Sequence, residues 1–190
     1  MEIKAILLSV AVVAGLFTGC ANKEESVVAP KVETKTESKI DAVASASLTK
    51  DVDILVKAMG KDGNWIMGIT ENITTDKQLV LEGDDLTKPD KNDPTKKVPA
   101  GKRQLVLAAR DDNKVITANY TLTAKKLTVK SKNGKIEGGV FKGDVYVEST
   151  GFNLEAAKID GNIYFANEEA QKTFKMDDKS SVTGKQEINK

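Results

Sequence analysis

Two seven-residue stretches constrain the fold of this 190-residue chain more than any other feature. Phe141-Lys142-Gly143-Asp144-Val145-Tyr146-Val147 and Ile159-Asp160-Gly161-Asn162-Ile163-Tyr164-Phe165 share one pattern: apolar-x-Gly-Asx-apolar-Tyr-apolar. Their glycines lie 18 positions apart, and Val182-Thr183-Gly184 opens a third, degenerate copy 23 positions later. An apolar-x-apolar pair lies ahead of each copy: Leu127/Val129, Phe152/Leu154 and Phe174/Met176. A period near 20 with short apolar arms predicts a mainly β chain folded as a parallel β-helix, or β-solenoid. Alternate side chains of each arm point inward, and glycine takes the corners. One rung cannot bury its own face, so rungs must stack. The stretch from Trp65 to Ile188 has room for about five or six of them. The alternative is an antiparallel β-sandwich, which also uses short strands separated by turns.

Ahead of the repeat, Leu48, Val52, Leu55, Val56 and Met59 recur at helical spacing. They predict a short amphipathic capping helix over 48–59, with Ser47 as N-cap and Gly60 just past the end. After Trp65 the runs are short and β-branched, as at Leu79-Val80-Leu81, Leu105-Val106-Leu107 and Leu127-Thr128-Val129. Residues 84–102 form one long loop holding three of the four prolines. Asp111-Asp112-Asn113 reads as a turn between strands.

The N-terminus is a targeting segment and takes no part in the fold. Lys4 supplies positive charge, and Ala5 to Phe17 carries none. This run is short for a membrane span, which needs about 20 residues. It ends in Leu16-Phe17-Thr18-Gly19-Cys20, which resembles a bacterial lipobox. The resemblance implies a signal peptide over 1–19, cleavage before Cys20, and a covalent lipid on the Cys20 thiol. The chain would then be exported and lipid-anchored on the extracytoplasmic side of the cell membrane or the outer membrane. The competing reading, a buried core cysteine, fits less well, because the only cysteine sits where the apolar run stops. Residues 21–46 hold four lysines against five acids and no aromatic. That composition cannot bury enough apolar surface to offset ordering entropy, so 20–46 reads as the lipidated cysteine and a tether. Residues 47–190 suit one domain.

The run Ile136-Glu137-Gly138-Gly139-Val140-Phe141-Lys142-Gly143-Asp144-Val145-Tyr146-Val147, with its copy at 159–165, resembles right-handed parallel β-helix proteins, including the bactofilin-like polymer-forming group. The resemblance covers roughly residues 70–188. It departs from bactofilins in its uneven rung lengths, the 84–102 loop and the export signal. A cytoplasmic polymer role therefore does not carry over.

Composition narrows the chemistry. There is no histidine, which removes His-based triads, His-ligated metal and proximal haem ligation. One cysteine allows no intrachain disulfide and no Cys-rich cluster. Lysine and arginine number 29 against 28 acids, without the basic excess of a nucleic-acid binder. Ser47-Leu48-Thr49-Lys50 matches the S-x-x-K of serine acyltransferases and Ser131-Lys132-Asn133 matches S-x-N, but the K-T-G partner is missing. Asp84, Asp85, Asp90 and Asp93 could offer oxygen to Ca²⁺, yet five lysines share their loop and EF-hand spacing is absent. Arg103 and Arg110, with Asp111 and Asp112, could in principle form a lyase-like group. No spacing singles them out.

Tyr146 and Tyr164 hold the same repeat position, so both should face outward, one rung apart. They are the candidate binding residues, for sugar faces or a protein partner; the plainer reading is a ladder that stabilises adjacent strands. The sequence thus predicts a membrane-anchored envelope lipoprotein displaying a non-catalytic structural or binding module. It expects no cofactor beyond the lipid on Cys20 and no metal. Partners would be the membrane and a polysaccharide or envelope protein. The chain should be a monomer, with open strand edges that leave end-to-end self-association available. The alternative function is polysaccharide binding or processing through the 84–112 loops.

Overall fold

The computed structural model describes residues 46–189. The expected signal peptide, Cys20 and the tether as far as residue 45 lie outside the described residues. The described chain begins with β1 (Ala46–Thr49), α1 (Val52–Met59), β2 (Ile66–Ile69), β3 (Ile73–Thr75) and β4 (Leu79–Leu81). It continues through β5 (Thr87–Pro89), β6 (Lys97–Pro99), β7 (Gln104–Val106), β8 (Ala108–Arg110), β9 (Ile116–Asn119) and β10 (Thr121–Val129). Next come β11 (Lys135–Glu137), β12 (Val140–Val147), β13 (Asn153–Glu155), β14 (Lys158–Asp160) and β15 (Ile163–Phe165). The chain closes with α2 (Glu168–Thr173), β16 (Lys175–Met176), β17 (Ser181–Val182) and β18 (Gln186–Ile188).

The fold is mainly β with parallel sheets. A six-stranded sheet runs in the order β1-β2-β7-β11-β13-β16. An eight-stranded sheet runs β17-β14-β12-β10-β3, with β4 also on β10, β15 also on β12, and β18 on β15. Every pairing in these two sheets is parallel. Among the described residues, antiparallel pairing is confined to the hairpins β5–β6 and β8–β9. The antiparallel sandwich alternative does not describe this pairing.

The register builds apolar columns. One runs Met67, Leu105, Ile136, Leu154, Met176. Others run Ile73, Leu122, Phe141, Ile159, Val182 and Leu81, Val129, Val147, Phe165, Ile188. The inner members of each column are buried and join a single core cluster. Each such side chain contributes roughly 1.5–3 kcal/mol by leaving water. At the last position Met176 is 47% exposed.

The column Met67, Leu105, Ile136, Leu154, Met176 advances by 38, 31, 18 and 22 positions. The excess in the long steps is the inserted hairpins: β5–β6 precedes β7, and β8–β9 follows it. The expected long loop at 84–102 therefore contains strands of its own. Asp111 terminates its hairpin as expected, its carboxylate accepting from Val115 N–H at 2.8 Å. One expected alignment is wrong. Leu127/Val129 is not equivalent to Phe152/Leu154: it pairs in the eight-stranded sheet with Val145/Val147. Phe152/Leu154 and Phe174/Met176 are equivalent, and the Phe152 and Phe174 rings stack at 5.7 Å.

The expected helix over 48–59 is shorter. Residues 46–49 are strand, with Leu48 paired to Gly68 and 61% exposed. Asp51, not Ser47, caps α1, its carboxylate accepting from Asp53 N–H at 2.7 Å and Ile54 N–H at 3.2 Å. A carboxylate also complements the positive end of the helix, which a serine does not. Leu55, Ala58 and Met59 form the buried face, and α1 packs on β1, β2 and β4.

Candidate binding face

The repeat motif works as its residue types require. Gly143, Gly161 and Gly184 stack at one corner. A Cβ on Gly161 would lie 2.1 Å from the Gly143 carbonyl oxygen, and one on Gly184 would lie 2.6 Å from that of Gly161. The next residue of each copy locks the corner through side-chain bonds. Asn162 donates its backbone N–H and its Nδ2 to Asp144 Oδ1, each at 2.9 Å, and Asn162 Oδ1 accepts from Lys185 N–H at 2.9 Å. Then Val145, Val147, Ile163 and Phe165 point inward and are buried.

Between these buried residues, Tyr146 and Tyr164 face outward, directly paired across β12 and β15. Their ring centroids lie 4.9 Å apart at 34°. Lys126 Nζ sits 3.9 Å from the Tyr146 centroid, a cation–π contact. Desolvation raises the Tyr164 phenol above its usual pKa, and the charge of Asp144 adds to it, followed by Tyr146 and Glu187. The phenol therefore stays neutral and able to donate. Glu187 continues the column, and a cavity of about 540 Å³ lies beside Tyr164 and Glu187. Both rings are half-buried: they lie against each other, Lys126 sits over the Tyr146 ring, and the rest of the pair is exposed on the outer side of the sheet.

The other candidates separate. Arg103 is 2% exposed, and its guanidinium donates to the carbonyls of Ala58, Gly60 and Glu82. Arg110 donates to the Lys114 carbonyl at 2.6 Å and pairs with Glu137 at 2.6 Å. The two arginines and Asp111 and Asp112 thus form no common group. Asp84 accepts from Ser131 Oγ at 3.1 Å and Lys132 N–H at 2.7 Å, while Asp90 and Asp93 accept from N–H groups two or three residues ahead. Asp90 and Asp93 serve local turns, and Asp84 ties the segment after β4 to the turn after β10. Among the described residues no three carboxylate or thiol side chains gather as a metal site. Ser131 is buried and donates to Gly83 and Asp84, and Ser47 lies in β1.

A polar cluster on the six-stranded sheet was not anticipated. Lys135 is 5% exposed, and its Nζ pairs with Glu137 and, at 2.9 Å, with Glu155. Desolvation pushes this ammonium down, but the bonds from Glu137 and Glu155 outweigh it and the net shift is upward. The Glu155 carboxyl is lowered, first by the bond from Lys135, and also by the charges of Lys102 and Arg110. Asp177 is lowered by Ser180 Oγ and by the Ala156 N–H. Signs follow directly. A lowered carboxylate contributes stability that is complete above its unfolded value, near 4.5 for Glu155, and is lost as pH falls through the folded value. A raised ammonium contributes fully below 10.5 and loses it as pH rises through the folded value. Urea melts from pH 2.5 to 8 should show stability falling below about pH 4.5, with a shallower fall in Glu155→Gln. An unchanged acid limb in that variant would remove the cluster from the account.

No protein-family model, curated protein or solved structure matches this chain. Among the described residues no helix is long and apolar enough to cross a membrane.

Proposed function

We propose that this chain is an exported, lipid-anchored envelope protein whose described residues form a β-solenoid acting as a non-catalytic glycan-binding module. The parallel register, the apolar columns and the stacked corner glycines support the solenoid reading. Sheet strands β2, β7, β11, β13 and β16 would then each open one rung. Export and the anchor rest on the sequence around Cys20. The monomer reading rests on α1 at one end and on the charged stretch from Lys185 to Lys190 at the other.

The observation that carries the binding role is the Tyr146–Tyr164 pair, held in register by the sheet and half-exposed on its outer side. Two rings one strand spacing apart make a rigid apolar strip with polar tips. Sugar rings present a matching apolar face and a hydroxyl rim. Little ordering is needed on binding, because the backbone ladder already fixes both rings.

Binding of cellohexaose to the full-length chain in mild detergent, followed by calorimetry, is the test. Tyr146→Ala and Tyr164→Ala should each weaken binding roughly five- to tenfold, in line with one lost aromatic contact of about 1–1.5 kcal/mol. Thermal melts should move little, because both rings are part-exposed. A purely structural ladder predicts the reverse: unchanged binding and lowered melting temperature.

A further inference from the structure

A second surface feature lies at the corner of the chain that follows the tyrosine strands. There the connections entering β7, β11, β13 and β16 come together around a cavity of about 480 Å³. Gly101, Lys102, Asn133, Gly151, Asn153 and Lys175 line it, and no carboxylate does. The residues are up to 74 positions apart (101 to 175), yet the parallel register brings them together: Asn153 pairs with Lys175, and Lys102, Asn133 and Gly151 each lie two positions ahead of the paired row Gln104, Lys135, Asn153.

The polar side chains here make no hydrogen bond among the described residues, and only Lys102 has an acid within electrostatic reach, Glu155. Elsewhere the corner asparagines are engaged: Asn72 accepts from Thr121 N–H, Asn119 from Gly139 N–H, Asn162 from Lys185 N–H and Asn167 from Ala170 N–H. By contrast, the Asn133 and Asn153 amides and the Lys102 and Lys175 ammoniums enter no hydrogen bond or ion pair among the described residues. The backbone is turned here by three left-handed residues, Gly101 at φ +84, Asn133 at +54 and Gly151 at +76. The Asn133 and Gly151 N–H groups are already donated, to the Thr150 carbonyl at 2.9 Å and Thr173 Oγ1 at 3.0 Å, so the side chains supply the polar groups of the cavity. A Cβ on Gly101 would meet nothing within 4 Å, so its backbone is open to the cavity.

We propose that this corner cavity binds the carboxylated ring of an acidic saccharide. Lys102 and Lys175 hold the carboxylate, and the amides of Asn133 and Asn153 bond the ring hydroxyls. Two ammoniums, with no carboxylate in the lining and Glu155 nearby already bonded to Lys135, favour negative charge. Amides both donate and accept, as the hydroxyls of a sugar ring require. The volume is far larger than a lone anion fills and falls in the range of small-molecule sites. The corner spans residues 148–152, between the Tyr146 strand β12 and Asn153 of β13, so one glycan chain can run from the aromatic strip into the cavity. This inference rests on the glycan-binding reading and adds a charge preference to it.

The test compares trigalacturonic acid with its methyl ester, binding to the full-length chain by calorimetry and by amide chemical shifts. The acid should bind about tenfold more tightly than the ester, the contribution of one charge-assisted contact. Shifts should centre on Gly101, Asn133 and Gly151. Lys102→Ala with Lys175→Ala should abolish the preference and leave the melting temperature unchanged, since both side chains are exposed. Lys142→Ala, exposed and away from the cavity, should keep it. Equal binding of acid and ester overturns the cavity proposal but leaves the tyrosine strip standing. Preference retained in the double lysine variant also overturns it. Binding of neither probe overturns the cavity proposal, and cellohexaose binding then shows whether the tyrosine strip stands without it. Displacement of the acid by inorganic phosphate at equal concentration, with the same shifts, would make this an anion site without saccharide recognition and overturn it too.

Discussion

Gly143→Ala should lower stability by roughly 4 kcal/mol, enough to unfold a large share of the chain at moderate temperature. Two independent effects add. Gly143 sits at φ +143, a region open to glycine alone, which costs another residue about 1–3 kcal/mol. Its added Cβ would also lie 1.8 Å from the Ala124 carbonyl oxygen. That oxygen cannot retreat cheaply. The β10–β12 pairing slips here, with Thr123 opposite Lys142 but Lys126 opposite Asp144. Two residues, Ala124 and Lys125, therefore face one, and the bulge pushes the Ala124 carbonyl into the space a Cβ would need. Relief would require parting the strands beneath Val145 and Val147, both fully buried.

Two companion variants separate the causes. Gly161 carries no positive φ but would meet the Gly143 oxygen at 2.1 Å, so Gly161→Ala reads the overlap alone. Gly101 has a positive φ and open space, so Gly101→Ala reads the backbone strain alone, about 1 kcal/mol. Urea unfolding followed by circular dichroism gives all three values. A Gly143→Ala loss no larger than that of Gly101→Ala would show that the corner yields and the steric account is wrong.

Arg103→Met should be nearly as damaging, at about 3–5 kcal/mol and a fall of roughly 10–20 °C in melting temperature. Arg103 is the largest of the buried side chains. It donates to the Ala58 carbonyl at the end of α1, to Gly60 at 2.8 Å just beyond it, and to Glu82 after β4. One planar group thus ties α1 to the end of β4 in the eight-stranded sheet. Burial pushes its pKa down to about 10, opposed by the charges of Glu82 and Asp84, so it stays charged at neutral pH. Methionine fills similar volume but removes every guanidinium bond. The Ala58 and Gly60 carbonyls keep the Asn64 and Gly63 N–H groups at 3.0 Å each, while the Glu82 carbonyl loses the donor that Arg103 gives it. A buried carbonyl left bare costs about 1–3 kcal/mol on top of the lost charge-assisted bonds. Lysine keeps the charge but cannot fork to three acceptors, so Arg103→Lys should recover only part of the loss. Recovery of wild-type stability in Arg103→Lys would mean that charge, not the forked bonding, matters at this position.

The repeat was legible in the sequence because its physics is local. Gly-Asx followed by apolar-Tyr-apolar states a corner and then a strand with alternating faces. Val145, Val147, Ile163 and Phe165 are buried and Tyr146 and Tyr164 face out, as that alternation requires. The degenerate copy at Val182-Thr183-Gly184 also falls in register, with Val182 opposite Ile159. Helical spacing was a weaker guide. Leu48 fits the α1 period, yet it lies in β1, because Asp51 offers a better cap and the edge of β2 offers a strand partner. Asn133-Gly134 would suggest a hairpin by composition. Instead it turns the chain from β10 to β11, which belong to different sheets.

What the sequence determined by itself is the rhythm of the chain: which residues turn, which alternate, and which tyrosines share a face. Those properties depend on neighbours within a few positions. What only the tertiary structure decided is how unequal repeats align and what meets at the corners. Leu127/Val129 took the Val145/Val147 column because backbone pairing and core volume choose the register, not the spacing between motifs. Arg103 became a clamp on three distant carbonyls, and Lys102, Asn133, Asn153 and Lys175 came to line one cavity. Parallel stacking is the reason: it brings residues one whole pass apart into contact, and the inserted hairpins make each pass a different length.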